Sequence, residues 1–131
     1  MPTLHTYDYA VIRVVPRVER EEFINVGVIV SCPGAGRLEA AIEIDPARLR
    51  AFAPALDPAD LAPSLDAIVA ICRGDAAAGP IARLPARARF HWLTAKRSAV
   101  VQVSPAHVGR TAQPDGLVEH LLDRMVRAPH G

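Results

Sequence analysis

A chain of 131 residues, half of them apolar, is long enough to enclose a core and too hydrophobic for general disorder. Fifteen basic residues stand against fourteen acidic ones, a net charge of +1 without any dense Lys or Arg run. That balance argues against a general nucleic-acid or anionic-membrane binder, since both depend on a concentrated positive field. The opening MPTLHTYDYA has no signal-peptide pattern and no apolar run reaches membrane-spanning length, so a cytoplasmic protein is expected. Cys32 and Cys72 have no CxxC partner, which favours two buried free thiols over a disulfide or a metal site.

In chain order, YDYAVIRVV (7–15) alternates as a strand that Pro16 stops, and a charged connection leads to a second strand from about Glu22 to Cys32. The turn PGAG returns the chain as a third strand, RLEAAIEI (37–44), giving a three-stranded meander. Asp45 before Pro46 predicts a short helix, with Asp45 as cap, Leu49 and Phe52 inward and Pro54 as its end. A second helix is expected from near Pro63, with Leu65, Ile68, Ile71 and Cys72 on one face and Gly74 as its stop. Residues 80–97 read as irregular, with arginines every few positions and Trp92 assigned to the core. SAVVQVS (98–104) follows as a short strand. A last helix, capped by Asp115, carries the apolar stripe Leu117, Val118, Leu121, Leu122 and Met125.

EEFINVGVIV (21–30) is a strand broken by two residues strands disfavour, Asn25 and Gly27. If side chains alternate throughout, the even positions Ile24, Val26, Val28, Val30 and Cys32 share a face with Ala10, Ile12 and Val14 of the first strand. The opposite face then collects Arg13, Asn25, Gly27 and Glu43, and a register placing Asn25 between Arg13 and Asp45 satisfies this parity. Gln102 and Ser98 of the last strand could join them. Three readings of that face stay open: a solvated salt-bridge lattice, a site in which Arg13 grips an anion and Asn25 binds its edge, or a surface that a partner covers using Phe23 and Ile29. In FHWLTAKRS (90–98), Thr94 would cap a turn, while Lys96, Arg97 and Ser98 are either solvated or offer donors to a phosphate or acidic partner.

Catalytic patterns are weak. Ser104 and His107 lie close, with His91 and Asp45 as conceivable orienters, but no nucleophile elbow or oxyanion-hole glycines accompany them. The histidines lack ligand spacing and PGAGR does not lead into a helix, so neither a metal, a cofactor nor a phosphate loop is expected.

YAVIRVVPRVEREEFINVGVIV and RFHWLTAKRSAVVQVSPAHVG together resemble the bacterial family known as domain of unknown function 3037. On that resemblance Arg13, Pro16, Glu22, Asn25 and Gly27 match in the first segment, and Trp92, Thr94, Arg97, Ser98, Gln102 and His107 in the second. The chain departs from the pattern at Glu21, where glycine is expected, and at Lys96, where proline is expected. The resemblance implies no activity; it implies an accessory or antitoxin-like partner of a HipA-like kinase.

The sequence therefore predicts a single α+β domain over 1–127 with a flexible tail over 128–131. Its antiparallel sheet has four or five strands, with helices packed on one face. The leading functional expectation is a non-catalytic interaction module whose partner-binding residues lie among Arg13, Glu22, Asn25, Gly27, Glu43, Asp45, Trp92, Thr94, Arg97, Ser98, Gln102 and His107. The alternative is a small-ligand or phosphate site, enzymatic or not, built from Arg13, Asn25, Arg97 and His107. Nucleic-acid binding through Arg83, Arg87, Arg89 and Arg97 is the weakest reading.

Overall fold

The computed structural model describes residues 3–95, 97 and 99–129. Lys96 and Ser98, and residues 130 and 131 of the expected tail, lie outside the described residues. The sheet is antiparallel and five-stranded. β1 (His5–Val14), β2 (Ile24–Cys32) and β3 (Arg37–Ile42) form the meander, and β4 (Val101–Val103) and β5 (His107–Thr111) both pair with β1. Against β1, Val103 faces Ile12 and His107 faces Tyr9, so β4 and β5 follow one line along the same edge, broken at Ser104–Ala106. The break is repaired by a side chain. Val11 N–H donates to Ser104 Oγ at 2.8 Å, and Ser104 N–H donates to Val11 O at 2.8 Å.

Among the described residues four α-helices complete the fold: α1 (Pro46–Phe52), α2 (Ala62–Arg73), α3 (Ala86–Thr94) and α4 (Leu117–Met125). Asp45 caps α1, accepting from Ala47 N and Arg48 N, as the Asp-Pro pair predicted. Gly74 ends α2 in the left-handed conformation, with φ 72°, that a residue carrying Cβ adopts at a cost. Two hydrophobic clusters sandwich the sheet. Ile12, Val14, Ile24 and Ile29 pack with Leu49, Leu65, Ile68, Phe90 and Leu93, whereas Val28 and Val30 pack with Leu117, Leu121, Leu122 and Val126. Each large side chain removed from water contributes about 1.5–3 kcal/mol before entropy is counted. Helices thus cover both faces rather than one: α1, α2 and α3 supply the first cluster and α4 the second.

Three local expectations are corrected. α3 lies within the stretch read as irregular, because Phe90 and Leu93 give that arginine-rich segment an inward face. Phe52 is exposed instead of inward, and Leu49 is the residue of α1 that enters the core. Asp115 does not cap α4; Gly116 stands at that position, and Asp115 forms an ion pair with Arg37.

Candidate functional site

The register of β1 with β2 shifts at one point: Ile12 faces Gly27, but Arg13 faces Asn25. Val26 is therefore an extra residue, a β-bulge, and it inverts the alternation of everything before it. Arg13 and Asn25 do sit opposite each other, and Gln102 of β4 faces Arg13 from the other side. Gly27, however, belongs to the other sheet face, and so does Ile29, which is fully buried. The cause at Gly27 is crowding: a Cβ there would come 2.7 Å from Ala41 O and 3.1 Å from both Ile12 Cδ1 and Ile42 Cγ1. Asn25 is not aligned with Asp45 either. The β2–β3 ladder places Gly27 opposite Ile42, and Asp45 is committed to the start of α1.

Asn25 instead reaches α4. Its Nδ2 donates to Met125 O at 2.9 Å, and Arg48 donates to Val126 O at 2.9 Å, so two distant side chains hold carbonyls at the end of that helix. A cavity of about 470 Å³ lies at this junction, lined by Asn25, Glu43, Asp45, Arg48 and Arg127 among others. Arg127 grips both carboxylate oxygens of Glu43, at 2.8 and 3.1 Å, and Glu119 at 2.5 Å. The guanidinium holds the Glu43 carboxyl below its usual range, and the two carboxylates hold Arg127 above its own. Asn25 Oδ1 and Arg13 Nε are buried without a hydrogen-bond partner among the described residues. The Arg13 guanidinium lies 4.2 Å from the centre of the Phe23 ring.

The second motif segment makes a similar pair. Trp92 is on the outward side of α3 and 39% exposed, not in the core, and the Arg97 guanidinium stacks 4.1 Å from its ring while donating to Trp92 O at 2.8 Å. Thr94 donates to Phe90 O at 3.0 Å, within the last turn of α3. Gln102 donates to Ala99 O at 2.8 Å. His107 stacks on Tyr9 at 5.3 Å, four β1 residues from Arg13 and hence about 13 Å along the strand. Ser104 is buried, with its hydroxyl spent on the β1 ladder and on Pro105 O. It is not a poised nucleophile. Ser98 lies outside the described residues.

A family model matches residues 9–126, spanning both motif segments, under the description protein of unknown function, DUF3037. The chain belongs to the DUF3037 family. No curated protein and no solved structure matches it.

In this DUF3037 chain the candidate residues fall into separate neighbourhoods. Asn25, Glu43 and Asp45 share the cavity beside α4. Glu22 pairs with Arg20 at 2.5 Å beside the β1–β2 connection. Arg13 and Phe23 lie at the end of the sheet where β1 stops and β2 begins, where Val15 N–H also donates to Val100 O, whereas Trp92 and Arg97 pair at the end of α3 and just after it. The sheet end also exposes Val18 and Val100. His107 stands apart.

Sequence reasoning missed Arg48 and Arg127, which act across the fold; Arg87, singled out there only for nucleic-acid binding, bonds Ser31 at 3.0 Å and pairs with Asp8 at 2.5 Å. Arg89 donates to Ile71 O and Cys72 O, both at 2.8 Å, closing the end of α2. The helical phase of α3 was the signal available for Arg87 and Arg89. Burial pushes the neighbouring Cys72 thiol up to about 12, which keeps it neutral and unreactive. Among the described residues no cluster of three or more His, Cys, Asp or Glu could hold a metal, and no helix is long and apolar enough to cross a membrane.

Proposed function

We propose that this chain is a cytoplasmic, non-catalytic interaction or accessory module whose partner docks over the exposed rings of Phe23 and Trp92. One observation carries the reading: two exposed aromatic rings, 45% and 39% accessible, each lie under an arginine guanidinium, at 4.2 and 4.1 Å. Aromatic and Arg side chains dominate the energetic centres of protein interfaces, because they bury large rigid area at low entropic cost. Leaving two such pairs in water gives the isolated chain little; covering them would strengthen each cation–π contact by desolvation. The sequence resemblance supplies the partner class, a HipA-like kinase.

The test is co-purification of the tagged chain with a HipA-like kinase from the same genome, followed by native mass spectrometry. A stoichiometric complex that Phe23→Ala or Trp92→Ala weakens at least about tenfold is expected, as for central interface aromatics. No complex at any salt concentration would end this reading.

A second reading rests on Arg13 Nε and Asn25 Oδ1, a buried donor and acceptor without partners on neighbouring strands. A small polar ligand bridging them would satisfy both. It would be a narrower site than one including His107. Native mass spectrometry reads it too: a small mass retained by the wild type and released by Arg13→Ala supports it, and a bare chain mass after gentle purification removes it.

A further inference from the structure

α4 packs on β2 and β3. The rest of that sheet face, over β1 and β5, stays partly open: Tyr7 and Tyr9 touch the second cluster yet keep part of their surface in water, and His107 is exposed. Three rings run in a row across it, Tyr7 6.1 Å from Tyr9 and Tyr9 5.3 Å from His107. Gly109 of β5 makes room for the first of them, since a Cβ there would come 2.5 Å from the Tyr7 ring. Arg13 continues the same face of β1, about 13 Å beyond Tyr9. Arg124 lies on the flank of α4 away from Glu119, whose ion pair with Arg127 marks the β3 side.

The charge on this strip is one-sided. β4 and β5 carry no carboxylate; the one on β1, Asp8, points to the other face and pairs with Arg87, and the two on α4, Glu119 and Asp123, lie beside Arg127. Partly exposed rings beside cations without a neighbouring carboxylate are complementary to aromatic bases joined by phosphates. A strip on an open sheet face suits a chain of nucleotides over a single one, because a lone small ligand gains affinity from enclosure whereas a strand sums several stacked bases.

We infer that this strip binds single-stranded nucleic acid, with two or three bases against Tyr7, Tyr9 and His107 and the adjoining phosphates drawn to Arg13 and Arg124. The inference goes beyond the interaction-module reading and does not rest on it. The arginines that the sequence suggested for nucleic acid serve otherwise: Arg87 holds Asp8 and Arg89 closes α2.

The experiment titrates a fluorescein-labelled hexamer of uridine with the full chain and follows anisotropy. Saturable binding is expected, with Kd below about 0.1 mM at about 0.05 M salt. Two phosphate contacts on a single strand give log K against log salt a slope of about −1.4, and Arg13→Gln should halve it. His107→Ala, at an exposed position, and Tyr9→Leu, which keeps an apolar side chain but loses the ring, should each weaken binding about tenfold, while Tyr9→Phe leaves it unchanged. His107→Ala carries the test if Tyr9→Leu does not fold. No saturation at millimolar hexamer, or binding indifferent to salt or to the loss of either ring, would overturn the inference. Equal affinity for a duplex of the same length would overturn it too, by assigning the contact to charge alone. Equal affinity for uridine monophosphate would replace the strand with a single nucleotide.

Discussion

The side-chain amide of Asn25 donates to the carbonyl oxygen of Met125, one hundred residues later in the chain, at 2.9 Å. The contact ties the bulged start of β2 to the end of α4, where carbonyl groups have no helical partner. Asn25→Asp should cost about 1–3 kcal/mol, because it removes the donor, sets a carboxylate against a carbonyl, and places negative charge at a helix C-terminus. Asn25→Leu, which leaves no partly satisfied amide, should cost less. Chemical denaturation of the three proteins gives the order; equal stability of all three would show that α4 is held by Arg48, the Arg127–Glu43 pair and packing, without Asn25.

Gly27 answers to a different constraint, on the opposite face. A Cβ would meet the backbone oxygen of Ala41 at 2.7 Å, and a carbonyl inside a strand ladder cannot swing aside as a side-chain tip can. Gly27→Ala is expected to destabilise by about 1–3 kcal/mol through strand displacement. The midpoint of urea unfolding measures it. If Gly27 instead left room for an external ligand, the substitution would leave the midpoint unchanged.

These two residues show how far the sequence was legible. Local patterns were readable because they are local: the alternation of Ala10, Ile12 and Val14, the Asp45-Pro46 start, the spacing of Leu65, Ile68, Ile71 and Cys72, and the stripe on α4 all recur in the structure. The pairing of Arg13 with Asn25 was also within reach. The bulge was not. Val26 and Val28 enter different cores on opposite faces, and since both are valine, the apolar pattern carries no mark of the inversion between them. Helices on both faces follow from the same blind spot: a strand apolar on both sides of a bulge reads as a strand apolar on one side. The partners of Asn25, Arg48 and Arg87 lie 100, 78 and 56 residues away, and no local pattern encodes such contacts.

Glu21 carries backbone strain that sequence and structure explain jointly. It is the one non-glycine residue with positive φ among those described, at φ 57° and ψ 14°, and it occupies the position where the family resemblance leads one to expect glycine. The left-handed conformation costs a residue bearing Cβ roughly 1 kcal/mol. Glu21→Gly should therefore stabilise by about 0.5–1 kcal/mol, part of the relief being offset by the greater freedom of glycine in the unfolded chain. Thermal unfolding of the two proteins decides it, and a lower midpoint for the glycine variant would mean that the Glu21 side chain contributes more than its backbone costs.

Glu43 makes the attachment of α4 sensitive to acid. Its carboxyl is held below the usual range mainly by hydrogen bonding to Arg127, with burial opposing and charge attraction assisting. A carboxyl with a lowered folded pKa stabilises the fold fully above its unfolded value, near 4.5, and loses that contribution as pH falls through the folded value. Arg127, raised by the same contacts, stays cationic throughout, so the change belongs to the carboxylate. Other carboxylates also titrate in acid, which makes the difference between wild type and Glu43→Gln the quantity to follow. That difference should be constant from about pH 6 to 8 and shrink below pH 4.5, because protonated Glu43 and glutamine then present the same charge to Arg127. Denaturation curves across this range measure it; a gap that persists undiminished at pH 3 would place the stabilising role of Glu43 in its packing and remove the ion pair from the account of how α4 is held.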